Sequence, residues 1–168
     1  MKKNILLVLI FVNAFNQSDL KSQILTIRET INYIDTLLKT NPYFDNFLEI
    51  TFYYSVDITA NNELVVNMEF KDAFKSIVRS EISDLDHFFQ KDFCNKTSNS
   101  ICWYCKLEDL ADYNACVYNE IINSGGGKEN HYSNNICVMF SNQNEICDKL
   151  YNAFDYLFTK VLESELKD

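Results

Sequence analysis

Residues 48–70 read LEITFYYSVDITANNELVVNMEF, and their period decides what kind of domain this chain makes. Leu48, Ile50, Phe52, Tyr54, Val56 and Ile58 alternate with Glu49, Thr51, Tyr53, Ser55, Asp57 and Thr59. Successive strand side chains point to opposite faces, so this alternation builds a strand with one buried face. Asn61 and Asn62 break the run; Leu64, Val66, Met68 and Phe70 then alternate with Val65, Asn67 and Glu69. The two runs predict an antiparallel hairpin turning around Ala60 to Glu63. Two strands alone are marginal in water, so this ribbon needs a helix over its buried face or a further strand at its edge.

Working outward, the period becomes helical on both sides. Upstream, Leu20, Ile24, Ile27, Ile31, Ile34 and Leu38 recur at three and four, predicting a helix capped by Ser18 or Asp19 and closed near Thr40 by Asn41-Pro42. Downstream, Phe74, Ile77, Val78, Ile82, Leu85, Phe88 and Phe89 predict a second helix between Asp72 and about Asp92. Leu107, Leu110, Asn114, Val117 and Ile121 predict a third, over Leu107 to Ile122. The polar segment from Asn123 to Asn135 holds all three glycines and reads as a connector, and Ile136 to Phe140 as a short strand. Asn142 and Glu145 have capping-box spacing ahead of a last helix with Ile146, Leu150, Phe154, Leu157, Val161 and Leu162 on one face. The expected fold is α+β and mostly helical: a small domain with a β-hairpin packed against amphipathic helices and a disulfide-bridged C-terminal half.

The N-terminus has the form of a secretory leader. Lys2 and Lys3 precede an apolar run from Ile5 to Val12, and Val12-Asn13-Ala14 offers small or modest residues where a signal peptidase reads. Cleavage after Ala14 leaves residues 15–168 as a single secreted domain, long enough for one core. The formal charge of −9 becomes −11 once Lys2 and Lys3 leave with the leader. That charge disfavours nucleic acid and anionic membrane surfaces as partners. No later stretch is long and apolar enough to span a membrane after leader removal.

Cys94, Cys102, Cys105, Cys116, Cys137 and Cys147 make an even set in the second half of the chain, as three disulfides in an exported protein require. Spacing alone leaves the connectivity open among fifteen arrangements. Cys102-Trp103-Tyr104-Cys105 is the one local motif with recognised chemistry: such a pair at a helix start acts as a redox dithiol, because helix N–H groups stabilise the thiolate. Against that, polar Asn95 to Ser100 stands where a redox domain places a strand, and bridging of each cysteine to a distant partner is the commoner use. Zinc ligation fits poorly, since Cys137 and Cys147 are not a second tight pair. Saposin-like domains and insect odorant-binding proteins are similar in size, helicity or cysteine number, but gaps of seven, two, ten, twenty and nine residues match neither.

The remaining chemistry is sparse. No Gly-x-Ser-x-Gly elbow occurs, His87 and His131 lack arranged partners, and Gly125-Gly126-Gly127-Lys128 is followed by Glu129 rather than the hydroxyl residue of a phosphate loop. No cofactor or metal is called for, and no catalytic residue is assigned beyond the redox alternative at Cys102 and Cys105. Asn95-Lys96-Thr97 and Asn16-Gln17-Ser18 match the N-glycan acceptor tripeptide, with Asn95 the better placed. For recognition, the outward row Thr51, Tyr53, Ser55, Asp57 and Thr59 is the first candidate, with Trp103 and Tyr104 as a second aromatic anchor. The expected function is a secreted, disulfide-stabilised binding or protein-interaction protein whose partner, an extracellular protein or a small apolar ligand, the sequence does not identify. A small extracellular enzyme, including thiol exchange, and a carrier of a small apolar ligand held between hairpin and helices are the alternatives.

Overall fold

The computed structural model describes residues 26–70, 74–86, 100–106, 115–141 and 144–165. Among these, strands outweigh helices, fifty-one residues to thirty-six, so the expectation of a mostly helical domain is overturned. Helix α1 spans Ile27–Thr40. Eight strands follow: β1 Tyr43–Asp45, β2 Ile50–Ile58, β3 Glu63–Phe70, β4 Phe74–Glu81, β5 Ser100–Tyr104, β6 Val117–Asn123, β7 Lys128–Ser133 and β8 Asn135–Met139. Helix α2, Asn144–Glu165, closes the described chain, and a single 3-10 turn at Ile82–Asp84 follows β4. Six strands form one sheet in the order β1-β2-β3-β4-β6-β7, antiparallel throughout, and β5 pairs with β8 in a separate ribbon.

The central hairpin has the expected alternation. Tyr54, Val56, Leu64 and Val66 are buried, and Ile58 pairs with Leu64 across a turn in which Asn62 takes φ 61°. Asparagine tolerates this left-handed geometry better than most residues. Leu48 departs from the expectation: it sits in the β1–β2 turn, exposed, and not in the strand.

Helix α1 starts at Ile27, not at Ser18 or Asp19. Thr26 and Glu29 form a reciprocal capping box, the Thr26 N–H donating to Glu29 at 2.8 Å and the Glu29 N–H to the Thr26 hydroxyl at 3.2 Å. The backbone N–H of Thr26 holds the Glu29 carboxyl below its ordinary range. The face carrying Ile31, Ile34 and Leu38 packs on β2 and on α2. Where β2 runs beyond the three-residue β1, Asp35 of this helix accepts the Val56 N–H at 2.7 Å. A helix side chain thus occupies a strand-edge donor that a neighbouring strand would otherwise take.

Two expected helices are strands, at least in the parts described. Phe74 to Glu81 is β4, a central strand between β3 and β6, so the helix over Asp72 to Asp92 does not form there. Its inward positions include Ser76 and Ser80, 2% and 3% exposed, while Ile77 lies on the opposite face. The serines are satisfied: Ser76 donates to the Asn119 side chain at 2.8 Å and Ser80 to the Cys116 carbonyl at 3.2 Å. Polar residues inside and an isoleucine outside disguise the strand period as a helical one. Val117 to Asn123 is likewise β6, with Asn119 inward beside Ser76; residues 107–114 of the third expected helix lie outside the described residues.

The polar connector is also structured. Asn123 donates to the Gly127 carbonyl at 2.9 Å, Gly126 to the Asn123 carbonyl at 2.8 Å, and Gly126 takes φ 78°, which a side chain would strain. This tight turn folds Lys128–Ser133 back on β6 as the last strand of the sheet. The core lies between the sheet's inner face, both helices and the β5–β8 ribbon, and its buried side chains form one cluster.

Two core tyrosines make stability depend on alkaline pH. Burial pushes the Tyr33 phenol up to about 12, and pushes that of Tyr54 higher still, with Tyr43 adding a smaller charge effect. Each phenol keeps its proton longer folded than unfolded, so the stability it contributes is complete below about pH 10 and is lost as pH rises from there. Denaturant unfolding across this range should lose about 1.4 kcal/mol per pH unit for each tyrosine. An unfolding free energy flat to about pH 12 would show that these rings are not held in the core.

Candidate functional site

The outward face of the sheet can be read row by row from its register. One row runs Tyr53, Glu69, Lys75, Ile122, Lys128; the next Ser55, Asn67, Ile77, Glu120, Asn130; the third Asp57, Val65, Arg79, Tyr118, Tyr132. Thr51, Tyr53, Ser55 and Asp57 all lie on this face, as the alternation requires. Thr59 does not join the row: it belongs to the β2–β3 turn, its hydroxyl accepting from the Glu63 and Asn61 N–H groups. Asp57 is engaged by Arg28 at 3.7 Å, an exposed pair of small energetic weight.

Charges on the face are arranged in pairs. Lys75 reaches Glu69 at 2.9 Å and Lys128 reaches Glu120 at 2.5 Å. The Lys128 hydrogen bond, aided by the charges of Lys128 and Arg79, lowers the Glu120 carboxyl from its ordinary value. At the Phe70 and Phe74 end of the sheet the face runs into a half-open cavity of about 350 Å3. Phe70, Phe74 and Ile122 give it apolar walls, and Glu69, Lys75, Asn123 and Ser124 supply polar groups.

The feature that stands out is the β1–β2 turn. Asp45 accepts the N–H groups of Phe47 and Leu48 at 2.8 and 3.0 Å, and Glu49 takes φ 55°, so residues 45–50 are folded into a defined knuckle. This knuckle holds Phe47 93% exposed, Leu48 52% and Phe44 47%. Phe44 pairs with Thr51 and therefore shares the outward face with Tyr53, itself 44% exposed. A single exposed apolar side chain is ordinary, but several large ones together on a hydrogen-bonded turn form a patch of the kind that contacts something.

The second expected anchor divides. Trp103 is 1% exposed, packed edge-on against Phe154 at 4.6 Å and against Phe158 at 5.5 Å, so it is a core residue and not a surface contact. Tyr104 is exposed but sits on the β5–β8 ribbon, outside the six-stranded sheet that carries Tyr53.

No protein-family model, curated protein or solved structure matches this chain. The site therefore rests on geometry, and the cysteines illustrate what geometry decides. Cys102 bonds Cys137, directly opposite it in the ribbon, and Cys105 bonds Cys116 just ahead of β6. A redox pair would need Cys102 and Cys105 joined to each other. They lie instead at the end of an extended strand, where residues three apart are separated by roughly 10 Å and point to opposite faces. Cys105 is also buried, and neither position has a free thiol, so the thiol-exchange alternative at Cys102 and Cys105 is set aside. Cys147, on α2, is disulfide-bonded too, with its partner outside the described residues, where Cys94 also lies. Asn95 and Asn16 fall outside them as well.

The Cys105–Cys116 bond joins the ribbon to the main sheet. Around it, Asp86 donates to the Tyr104 carbonyl at 2.7 Å and Lys106 to the Asp84 carbonyl at 2.9 Å, binding the ribbon to the turn that follows β4. Among the described residues, no three His, Cys, Asp or Glu side chains converge as metal ligands, and no helix is long and apolar enough to cross a membrane.

Proposed function

We propose that this chain is exported, loses its leader after Ala14, and works outside the cell as a disulfide-stabilised binding domain that docks a protein partner on its β1–β2 knuckle. The observation that carries this reading is Phe47, almost wholly exposed on a turn that Asp45 holds in place. A pre-ordered anchor spends little conformational entropy on binding, and an aromatic ring entering a partner's apolar pocket is the usual centre of a protein interface. Phe44, Leu48 and Tyr53 supply the surrounding contact surface. Export is supported by Lys2 and Lys3 ahead of Ile5 to Val12, and by bridges that need an oxidising compartment to form. On the same reading Asn95 carries a glycan if the host is a eukaryote.

The cavity beside Phe70 and Phe74 favours one second reading, a site for a small apolar ligand, because its volume lies in the range of small-molecule pockets. It is not the space between hairpin and helices expected of a carrier: Tyr54, Val56, Leu64 and Val66 fill that region.

A photo-crosslinking phenylalanine analogue placed at position 47 of the exported protein, in its native host, tests the docking. The expected result is a discrete protein adduct that the same analogue at Glu163, on the far end of α2, does not give. Phe47→Ala should then weaken binding of the captured partner roughly thirtyfold, equivalent to about 2 kcal/mol. Its own unfolding free energy should stay within about 0.5 kcal/mol of the parent. No adduct at position 47, with a small molecule released from the purified protein into organic solvent, would transfer the function to the cavity.

A further inference from the structure

We propose that β7 is a self-pairing edge, along which two copies of this chain join their sheets in antiparallel register. Among the described residues β7 ends the six-stranded sheet, and Lys128 through Tyr132 are all exposed, so nothing lies over the strand. A strand in this position offers a row of unused backbone donors and acceptors.

Which groups face outward follows from the turn. The hydrogen-bonded closing pair is Asn123 with Gly127. From it the antiparallel alternation makes Ile121/Glu129, Asn119/His131 and Val117/Ser133 the hydrogen-bonded pairs within the hairpin. Lys128, Asn130 and Tyr132 therefore direct their N–H and C=O groups to the free edge. A second copy can satisfy them only in registers that set these residues opposite one another.

The register centred on Asn130 uses all three, giving roughly six backbone hydrogen bonds between copies. It also matches every side chain. On one face Glu129 lies opposite the partner's His131, and by symmetry His131 opposite the partner's Glu129. Within one copy these two already stand 3.8 Å apart, so pairing builds an alternating cluster of four groups. On the other face Lys128 lies opposite the ring of the partner's Tyr132, a favourable cation–aromatic arrangement, and the two Asn130 amides can each donate and accept. Competing registers are poorer. Centring on Glu129 sets the two Glu129 carboxylates face to face, and centring on Lys128 opposes two ammonium groups, which is destabilising in directly opposed cross-strand positions. Centring on His131 opposes two imidazoles and leaves Lys128 with no partner across the interface beyond its own Glu120.

The test is sedimentation equilibrium on the full disulfide-bonded chain, from micromolar to millimolar concentration. The expected result is a reversible dimer. Glu129→Lys removes the carboxylate to which the partner's His131 can donate and should weaken dimerisation at least about tenfold. Adding His131→Glu sets a lysine opposite a glutamate at both symmetry-related positions, and should recover association. Asn130→Pro removes an outward N–H that the β6–β7 hairpin does not use and should abolish the dimer while far-ultraviolet circular dichroism stays unchanged. A chain monomeric to millimolar concentration overturns the proposal, as does a dimer indifferent to Glu129→Lys and Asn130→Pro. Failure of the double charge exchange to restore association overturns the register.

Discussion

Trp103→Ala is expected to cost about 3–5 kcal/mol of unfolding free energy, the range for removing a large buried aromatic. Trp103 is almost fully buried and is the centre of an aromatic cluster with Phe154 and Phe158 of α2, themselves 6.2 Å apart. Through its pairing with Ile136 it also seats the β5–β8 ribbon on that helix. Domains of this size are stable by about 5–15 kcal/mol, so the variant should be close to unfolding at physiological temperature. Tyr104→Ala is the natural control. Its side chain lies one residue away on the exposed face of the ribbon, and its loss should be worth about 0.5 kcal/mol or less. Denaturant titration followed by far-ultraviolet circular dichroism compares the two, since the first variant removes the only tryptophan. Similar costs at the two positions would mean that Trp103 is not in the core.

The second large effect concerns the ribbon's own bridge. A two-stranded antiparallel ribbon has little stability by itself, and Cys102–Cys137 ties its strands at directly opposed positions. The bond closes a sequence separation of 35 residues, for which chain entropy gives about 4 kcal/mol, against about 3 kcal/mol for the separation of 11 at Cys105–Cys116. The double variant Cys102→Ser, Cys137→Ser should therefore lose about 4 kcal/mol. It should also lose it locally, with amides of Ser100–Tyr104 and Asn135–Met139 exchanging well before those of β2, β3 and β4. Hydrogen exchange read by mass spectrometry checks this, and uniform loss of protection across the chain would contradict a separately stapled ribbon. Peptide mapping of the parent protein should recover Cys147 joined to Cys94, the cysteine left over by the other two bonds.

What could be read in the sequence depended on whether each segment's buried face is apolar. β2 and β3 bury Tyr54, Val56, Leu64 and Val66 and expose polar residues, so their period was plain. α1 buries Ile31, Ile34 and Leu38 and α2 buries Ile146, Leu150, Phe154, Leu157 and Val161, with Ile27 and Leu162 partly buried; Leu20 and Ile24 lie outside the described residues. β4 could not be read this way, because Ser76 and Ser80 occupy its inner face while Ile77 lies outside; their burial depends on partners in β6 and the residue before it, far along the chain. β7 has no core side chain and is a strand only because β6 lies beside it. The knuckle was missed for the opposite reason. Leu48 continues the alternation of β2, so the period alone makes it that strand's first buried residue. Asp45-Asn46, two residues suited to turns, was the available signal that the chain reverses there and leaves Phe47 and Leu48 outside.

The contact between Asp35 and the Val56 N–H makes the two edges of the sheet unequal. At the β1 end the edge strand is only three residues long, and its approach is anchored where Ser141 donates to the Asn41 carbonyl at 3.1 Å and its hydroxyl to the Pro42 carbonyl. Beyond it a helix carboxylate takes a donor that an incoming strand would need. Among the described residues, β7 is the longer edge of the six-stranded sheet and is exposed from Lys128 to Tyr132. On the pairing proposed for β7, two copies would join their long edges and leave, at each far end of the combined sheet, the short β1 edge with a helix carboxylate beside it. The carboxylate that fastens a helix to a strand thus has a second effect, disfavouring the addition of a foreign strand beside Val56.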